Sequence, residues 1–346
     1  MNNNKTDIKA LPTNIITGFL GVGKTSTILH LLKNKPANER WAVLVNEFGE
    51  IGVDGYLLEG QQPQENGVFI SEVPGGCMCC AAGVPMQVAL NQLLKSANPD
   101  RLLIEPTGLG HPKEVLEVLS SEHYQQVLSL EKILTLVDAR NLSNERYTSH
   151  DTFNQQIEIA DTIIGNKSDL YSDSDKATLD EYIKQKGAAH TNIILSQYGD
   201  IDFAELAGKT ANTLIQEEEH HHHHHHSHHN KGSDKPLLSD VPIPECGFIK
   251  AENEGEGYHS IGWRFSSEKK FDKSKLVNFL WKTGAERVKA VFNTNNGFFG
   301  FNLDKDILSE VALESSEESR IEIISQNLDD AQRDSIEKTL MECIVD

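Results

Sequence analysis

Six short apolar segments, separated by longer amphipathic ones, constrain the fold of this chain more than any other feature of its sequence. Each segment is continuous rather than alternating, as in strands buried on both faces of a parallel sheet. The stretches between them, such as 84–94 and 112–120, have the apolar spacing of helices that pack on such a sheet. The sequence therefore predicts a doubly wound, mainly parallel α/β domain over residues 1–214. The six segments are NIIT (14–17), WAVLV (41–45), RLLIE (101–105), ILTLV (133–137), DTIIG (161–165) and NIILS (192–196).

The rest of the chain divides into a linker and a smaller domain. Residues 215–246 contain three prolines and nine histidines and too few apolar residues for a core, so we predict a His-rich linker. Residues 247–346 again show regular patterns, which predict a small α+β domain. YHSIGWRF (258–265) alternates like a half-exposed strand, and a helix over 276–281 has Asp272 as its N-cap and Gly284 at its end. Further patterns predict strands at 287–294, 297–303 and 320–325 and a helix at 329–342.

The charge balance excludes several classes of function. The 346 residues include 32 Lys and Arg against 52 Asp and Glu, a net charge of −20. Such a surface repels nucleic acid and anionic lipid, and it raises the local concentration of cations. No apolar run approaches the roughly 18 residues of a membrane span. The polar N-terminal segment lacks a signal-peptide core, so we expect a cytoplasmic protein that binds neither nucleic acid nor membrane.

The octapeptide GFLGVGKT (18–25) fits the phosphate-binding pattern G-x-x-x-x-G-K-[ST]. Gly18, Gly23, Lys24 and Thr25 occupy its fixed positions, and the octapeptide lies between a predicted strand and a predicted helix. In this context the backbone N–H groups face phosphates at a helix N-terminus. We expect Lys24 to bridge the β- and γ-phosphates and the Thr25 hydroxyl to bind Mg²⁺.

The tetrapeptide NKSD (166–169) follows the fifth apolar run and indicates which base the nucleotide carries. The Asp169 carboxylate can accept hydrogen bonds from guanine N1–H and the exocyclic amine, which adenine does not offer. Asn166 can contact the other base edge, and the aliphatic part of Lys167 can cover the ring. The sequence therefore predicts GTP rather than ATP, although four polar residues after a strand also suit a simple turn.

Two acidic segments lie where they would act on the nucleotide. Glu105 ends the third run and is predicted to hold Mg²⁺ through water, while Gly108 brings a backbone N–H to the γ-phosphate. The segment NEFGEIGVDG (46–55) combines three carboxylates with three glycines, which suits a switch ordered by the γ-phosphate. The alternatives are a turn residue for Glu105 and a solvated acidic loop for 46–55.

The heptapeptide PGGCMCC (74–80) predicts a metal site. Cys77, Cys79 and Cys80 offer three thiolates, which suit Zn²⁺, Co²⁺ or Ni²⁺ and leave one tetrahedral position for another ligand. The fourth ligand is left open between a carboxylate of 46–54, a histidine, water and a partner. Thiol redox chemistry and simple packing are the competing interpretations. Cys246 and Cys343 are isolated and receive no role.

The histidine run in the linker predicts auxiliary metal binding. Imidazoles with a pKa near 6.5 are mostly neutral at pH 7 and bind several divalent metals. Since the run must become ordered on binding, its sites should be weaker than the thiolate site. His30 and His111 are expected to be ordinary helix and loop residues. The run comprises His220, His221, His222, His223, His224, His225, His226, His228 and His229.

Taken together and in this order, the motifs GFLGVGKTS, NEFGEIGVDG, GGCMCC, EPTGLGHP, LVDAR and NKSD resemble those of the CobW-like family of P-loop GTPases. The resemblance covers most of the chain and implies a P-loop NTPase fold with a C-terminal α+β domain. It implies a metallochaperone that uses GTP, Mg²⁺ and Zn²⁺, Co²⁺ or Ni²⁺, with a client metalloprotein as its partner. A metal buffer based on the histidines and a cobalt- or nickel-centre maturation factor remain alternatives, and a homo-oligomer is left open.

The resemblance also assigns residues. It implies a phosphate loop from Gly18 to Ser26 that includes Gly21, Val22, Gly23 and Thr25, with Lys24 and Glu105 as the catalytic residues. Two positions depart from the family pattern: Ser26 stands where Thr is usual, and Ala290 replaces the glycine of an Arg-x-Lys-Gly turn at 287–290. The second departure leaves any partner role of that turn in question.

Overall fold

The computed structural model describes residues 8–45, 67–73, 84–212, 241–255, 257–304, 307–326 and 328–345. Within these ranges the chain forms two sheets, the first built from strands β1–β8 and the second from β9–β14. The strands are β1 Leu11–Gly18, β2 Trp41–Val45, β3 Val68–Glu72, β4 Arg101–Glu105, β5 Leu128–Leu130, β6 Leu134–Val137, β7 Thr162–Gly165, β8 Asn192–Leu195, β9 Phe248–Gly255, β10 Tyr258–Phe265, β11 Arg287–Thr294, β12 Gly297–Asp304, β13 Ile307–Leu313 and β14 Ser319–Ser325.

The first sheet is parallel, with the strand order β3-β2-β4-β1-β6-β7-β8 and with β5 paired beside β1. All six predicted strands are present, which confirms the doubly wound α/β prediction. Two strands were missed. β5 has only three residues, and β3 is half-buried over four of its five residues, so neither carries a long apolar run.

Helices cover both faces of the first sheet, as the apolar spacing predicted. One core packs side chains of the helices Lys24–Asn34, Asp151–Glu158 and Asp173–Lys186 against the sheet, and a second core packs those of Val84–Ala97 and Pro112–Leu119 on the opposite face. Single helical turns occur at Glu122–Gln125 and Glu145–Thr148, and 3-10 turns at Ala139–Ser143, Ser168–Leu170 and Phe203–Leu206. The longer helices are α1 Lys24–Asn34, α2 Val84–Ala97, α3 Pro112–Leu119, α4 Asp151–Glu158, α5 Asp173–Lys186, α6 Lys273–Lys282 and α7 Asp330–Met341.

Strand β8 corrects one expectation. Its run NIILS was predicted to be buried on both faces, but β8 is the edge strand of the sheet, and Leu195 is 49% exposed. A continuous apolar run thus marked the strand correctly, whereas its burial depends on which neighbours the fold provides.

The second sheet is antiparallel, in the order β13-β12-β11-β14-β10-β9. Its apolar face, which includes Trp263, Phe292 and Ile321, packs on α6 and α7. The predicted N-cap is confirmed, since the Asp272 side chain accepts a hydrogen bond from Lys275 N at 2.9 Å. This sheet with its two helices confirms the predicted α+β unit at the C-terminus.

The opposite side of the second sheet is charged and yet buried. We call it the polar face, because register places Arg264, Arg287, Lys289, Arg320 and Glu322 on the same side of β10, β11 and β14. All five residues are buried. The prediction that 258–265 is half-exposed was therefore wrong: β10 alternates apolar and polar residues, but both of its faces are covered.

Strand register places three chain segments side by side at the carboxyl edge of the first sheet. Val45 lies opposite Glu72 on one side and opposite Glu105 on the other. The chain therefore leaves β2, β3 and β4 at the same edge, which is where ligands bind in open α/β sheets.

None of the helices in the described ranges is both long and apolar enough to cross a bilayer.

Candidate nucleotide site

The loop between β1 and α1, residues 18–25, is shaped by its glycines. Gly18 and Gly23 have positive φ angles of 140° and 100°. A Cβ atom at Gly18 would lie 2.5 Å from Leu136 O, and one at Gly23 would lie 2.4 Å from Asn166 Nδ2. Side chains are thus excluded at both positions. We call this segment the phosphate-binding loop.

Lys24 begins α1 and is buried inside the phosphate-binding loop. Its ammonium group donates hydrogen bonds to Gly18 O at 2.9 Å and Phe19 O at 3.2 Å. Gly108 lies against it, since a Cβ atom at that position would be 3.1 Å from Lys24 Nζ. Gln156 fixes this contact by donating a hydrogen bond to Gly108 O at 3.0 Å. The structure therefore brings together the predicted cation and the predicted γ-phosphate residue.

Thr25 and Glu105 meet at the carboxyl edge of the first sheet. The Thr25 hydroxyl donates a hydrogen bond to Glu105 Oε1 at 3.2 Å, and Glu105 is only 2% exposed. A hydroxyl and a carboxylate are the hard oxygen donors that Mg²⁺ prefers. The two residues thus fit the predicted ion in chemistry and in proximity.

Asn166 connects the phosphate-binding loop to two other segments. Its Nδ2 donates a hydrogen bond to Val22 O at 2.8 Å, and its Oδ1 accepts one from Gly199 N at 3.2 Å. The side chain is buried, with 2% exposure. Because both polar atoms of the amide bind backbone, the base contact expected of Asn166 stays a prediction.

The tetrapeptide NKSD (166–169), which we call the guanine motif, has two further residues that are more accessible to solvent than Asn166. Lys167 adopts a left-handed conformation with φ 61°, and its ammonium lies 3.7 Å from Asp138 Oδ2. Asp169 is exposed beside it. The pattern NKSD therefore presents one carboxylate at the surface, next to a lysine that a buried aspartate holds in place.

Tyr171 holds the guanine motif in place through hydrogen bonds of its hydroxyl group. Its hydroxyl accepts a hydrogen bond from Ala139 N at 2.9 Å and lies within hydrogen-bond distance of Asn166 O at 2.5 Å. Burial raises the pKa of Tyr171 well above its ordinary value, so its hydroxyl stays protonated. Sequence reasoning missed Tyr171, since a Tyr near a strand end is common, and it placed Asp138 in the motif LVDAR without giving it a role.

Gly199 was also missed. It lies in the loop after β8 with φ 77°, and a Cβ atom there would be 2.7 Å from Thr27 Cα. The segment 196–200 thus packs directly on α1. The available signal was the tetrapeptide SQYG (196–199), which follows the sixth apolar run at the edge where ligands bind.

The predicted metal ligands Cys77, Cys79 and Cys80 lie outside the described residues, as do the histidine run at 220–229 and the switch segment at 46–55. Across the described ranges, no three His, Cys, Asp or Glu residues come close enough to hold a metal ion. His111 approaches Gln155 at 3.3 Å, and His30 approaches Asp200 at 2.9 Å.

Comparison with known proteins identifies the family. The model of the CobW/HypB/UreG nucleotide-binding domain matches residues 12–193. The chain is 39% identical over 317 residues to the zinc chaperone YeiR of Escherichia coli (strain K12), a match that covers 91% of this chain and 93% of YeiR. It is 32% identical over 198 residues to the zinc chaperone YjiA of the same organism, covering 56% of this chain and 59% of YjiA.

A solved structure was also matched. The crystal structure of Zn(II)-bound YjiA GTPase from E. coli aligns with a TM-score of 0.45 at 20% identity, covering 96% of this chain and 99% of that one. The family model spans more than half of the chain and includes both the phosphate-binding loop and the guanine motif. The chain is therefore a P-loop GTPase and belongs to the CobW/HypB/UreG family.

Proposed function

We propose that this GTPase captures Zn²⁺, or alternatively Co²⁺ or Ni²⁺, at Cys77, Cys79 and Cys80 and delivers it to a client metalloprotein as GTP is hydrolysed. The similarity to the zinc chaperone YeiR over nearly the whole of both chains supports this. The three cysteines supply the soft thiolate ligands that such ions prefer. An open fourth position would allow the ion to pass to another protein.

The register of β3, β2 and β4 is the observation that relates the proposed metal site to the nucleotide site. Glu72, at the end of β3, lies two strands from Glu105, which is about 10 Å at the usual strand spacing. Cys77 follows Glu72 by five residues, and five residues span at most about 18 Å. Chain connectivity therefore permits Cys77 to come close to the predicted Mg²⁺ ligand.

The residues around the phosphates have separate tasks. The phosphate-binding loop and the N-terminus of α1 bind phosphate oxygens through backbone N–H groups. Lys24 neutralises phosphate charge, and Gly108 leaves room for the γ-phosphate beside it. Thr25 and Glu105 would hold Mg²⁺, which when bound neutralises the charge that develops on the phosphates during transfer.

Lys24 also offers a way for the nucleotide to change the loop. Its ammonium donates to two backbone carbonyls of the phosphate-binding loop, Gly18 O and Phe19 O. Phosphate oxygens are stronger partners for an ammonium than neutral carbonyls are, so they would compete for it. If Lys24 exchanged these carbonyls for phosphate oxygens, the conformation of the phosphate-binding loop would depend on the bound nucleotide. The change would also affect Gly108, which packs on the loop.

The proposal is tested by counting zinc ions and GTP turnover in cysteine variants. In Cys79→Ala the high-affinity zinc site and any zinc dependence of GTP hydrolysis should be lost. The matched control is Cys246→Ala, because Cys246 is an exposed free thiol outside the cluster. Unchanged zinc affinity in Cys79→Ala would contradict the assignment of the cluster.

A further inference from the structure

A cavity of about 250 Å³ lies between the phosphate-binding loop and the second sheet. One wall is the start of α1, with Thr25 and Ser26, and the other is the polar face, with Arg287 and Lys289. Complete small-molecule sites usually enclose about 300–1,000 Å³, so this cavity suits part of a ligand rather than a whole one.

Arg287 is the unusual residue in this wall. It is 7% exposed, it lines the cavity, and its Nε has no hydrogen-bond partner among the described residues. A buried guanidinium carries a permanent positive charge, and burying a charge without a partner is costly. An anion in the cavity would remove this cost.

The wall of the cavity formed by the start of α1 also favours an anionic ligand. The first backbone N–H groups of α1 have no partners within the helix, and the helix dipole adds partial positive charge there. Lys289 brings a further buried cation to the cavity. Glu310 also lines it, but its carboxylate is paired with Lys273 Nζ at 2.6 Å. The cavity therefore has Arg287 and Lys289 on one wall and the N-terminus of α1 on the other.

Asn302 adds a second requirement for the chemistry of the ligand. It lines the cavity on β12, and its side-chain oxygen is buried without a hydrogen-bond partner among the described residues. A ligand that satisfies Arg287 and Asn302 together presents an anionic oxygen and a donor such as a hydroxyl. A nucleoside phosphate carries both groups, and its phosphates already belong at the start of α1.

We propose that Arg287, from the second sheet, binds a phosphate oxygen of the guanine nucleotide held by the phosphate-binding loop. The bound nucleotide would then bridge the two sheets, with the Asn302 side chain facing its ribose. This inference rests on the GTPase assignment and is independent of the proposed zinc transfer. It makes the second sheet part of the nucleotide site.

The test compares GDP and guanosine binding in Arg287→Gln, measured by calorimetry on the full-length chain. A charged hydrogen bond is lost, so GDP should bind about 10-fold to 100-fold more weakly. Guanosine has no phosphate, so its affinity should stay unchanged. Because a buried guanidinium whose Nε has no hydrogen-bond partner among the described residues is removed, the thermal stability of the variant without nucleotide should be equal to or above that of the wild type.

Arg264→Gln is the matched control. Arg264 lies on the same polar face and is equally buried, but its guanidinium is paired with Glu318 at 2.7 and 2.9 Å. This control should lose stability and keep its GDP affinity. Equal GDP affinity in Arg287→Gln and wild type, or an equal loss of GDP and guanosine binding, would overturn the inference while leaving the GTPase assignment intact.

A measurement on the unaltered protein keeps the inference testable if Arg287→Gln does not fold. GDP should slow amide hydrogen exchange in β11, which carries Arg287, and guanosine alone should not. No change in this strand at saturating GDP, with slowed exchange confined to the phosphate-binding loop, would overturn the contact.

Discussion

At the scale of single residues, the side chain of Asn166 explains why position 23 is glycine. The amide occupies the space that a Cβ atom at Gly23 would need, and it binds Val22 O and Gly199 N from there. The phosphate-binding loop and the guanine motif are thus packed as one unit, so a change in one should disturb the other.

Gly23→Ala tests this packing. The added methyl group meets Asn166 and forces a positive φ on a non-glycine residue, which costs about 1–2 kcal/mol before any clash. We expect lost stability in urea unfolding and at least tenfold weaker GDP binding. The control is Gly284→Ala, which has φ 63° but no atom within 4 Å of the added Cβ. It should lose stability only, and equal GDP affinities in both variants would argue against the packing role.

Tyr171→Phe tests the hydrogen bonds by which Tyr171 holds the guanine motif in place. Removing the hydroxyl leaves Ala139 N without its partner, so we expect a loss of about 1–3 kcal/mol in the free energy of unfolding. GDP affinity should fall as well, because the hydroxyl also lies against Asn166 O. Tyr182→Phe is the control, since that hydroxyl bonds Asn154 at 2.7 Å, away from this motif. If Tyr171→Phe lost stability but kept its GDP affinity, Tyr171 would have no part in positioning the motif.

The two cysteines outside the cluster should differ in reactivity. Cys343 is buried, and burial raises the pKa of its thiol to about 11, so little thiolate is present at pH 7 to 8. Cys246 is exposed. Mass spectrometry after brief alkylation of the native protein should find Cys246 modified and Cys343 intact. Modification of Cys343 at a similar rate would contradict its burial.

Single residues were predictable where the signal was local. The spacing of Gly18, Gly23, Lys24 and Thr25 is set within one loop, so the pattern could be recognised without a fold. Gly199 could not be predicted in the same way, because its need for glycine comes from Thr27, which lies far away in the sequence. Contacts of this kind appear only when the strands are arranged.

At the scale of elements, continuous apolar runs predicted the positions of the strands well but predicted the burial of those strands poorly. The bounds of Trp41–Val45, Arg101–Glu105 and Arg287–Thr294 match the predicted runs residue for residue. Strand β8 was found but proved to be an exposed edge, and β10 was found but is covered on both faces. Burial depends on neighbouring elements, which the local pattern does not contain.

The histidine run can be tested as an element of its own. If the cysteine cluster is the transfer site, deletion of residues 220–229 should leave about one tightly bound zinc ion per chain and remove weaker sites. Titration of zinc against a chelator of known affinity measures both classes. Loss of the tight site on deletion would favour a metal buffer built from imidazoles.

At the scale of the whole molecule, the polar face shows how the two sheets are related. Ile324 on β14 and Tyr258 at the start of β10 join the same core cluster as residues of α1 and the first sheet. The charged side of the second sheet is therefore covered by contacts with the first. Strand β10 alternates apolar and polar residues as a half-exposed strand would, which is why its sequence pattern predicted exposure.

We propose that metal binding and nucleotide binding are coupled, and such coupling is reciprocal in free energy. The most direct measurement is the zinc affinity of the full chain with a non-hydrolysable GTP analogue and with GDP. We predict affinities that differ by at least about fivefold in the wild type and in Cys246→Ala. The same zinc affinity in both nucleotide states would contradict this coupling.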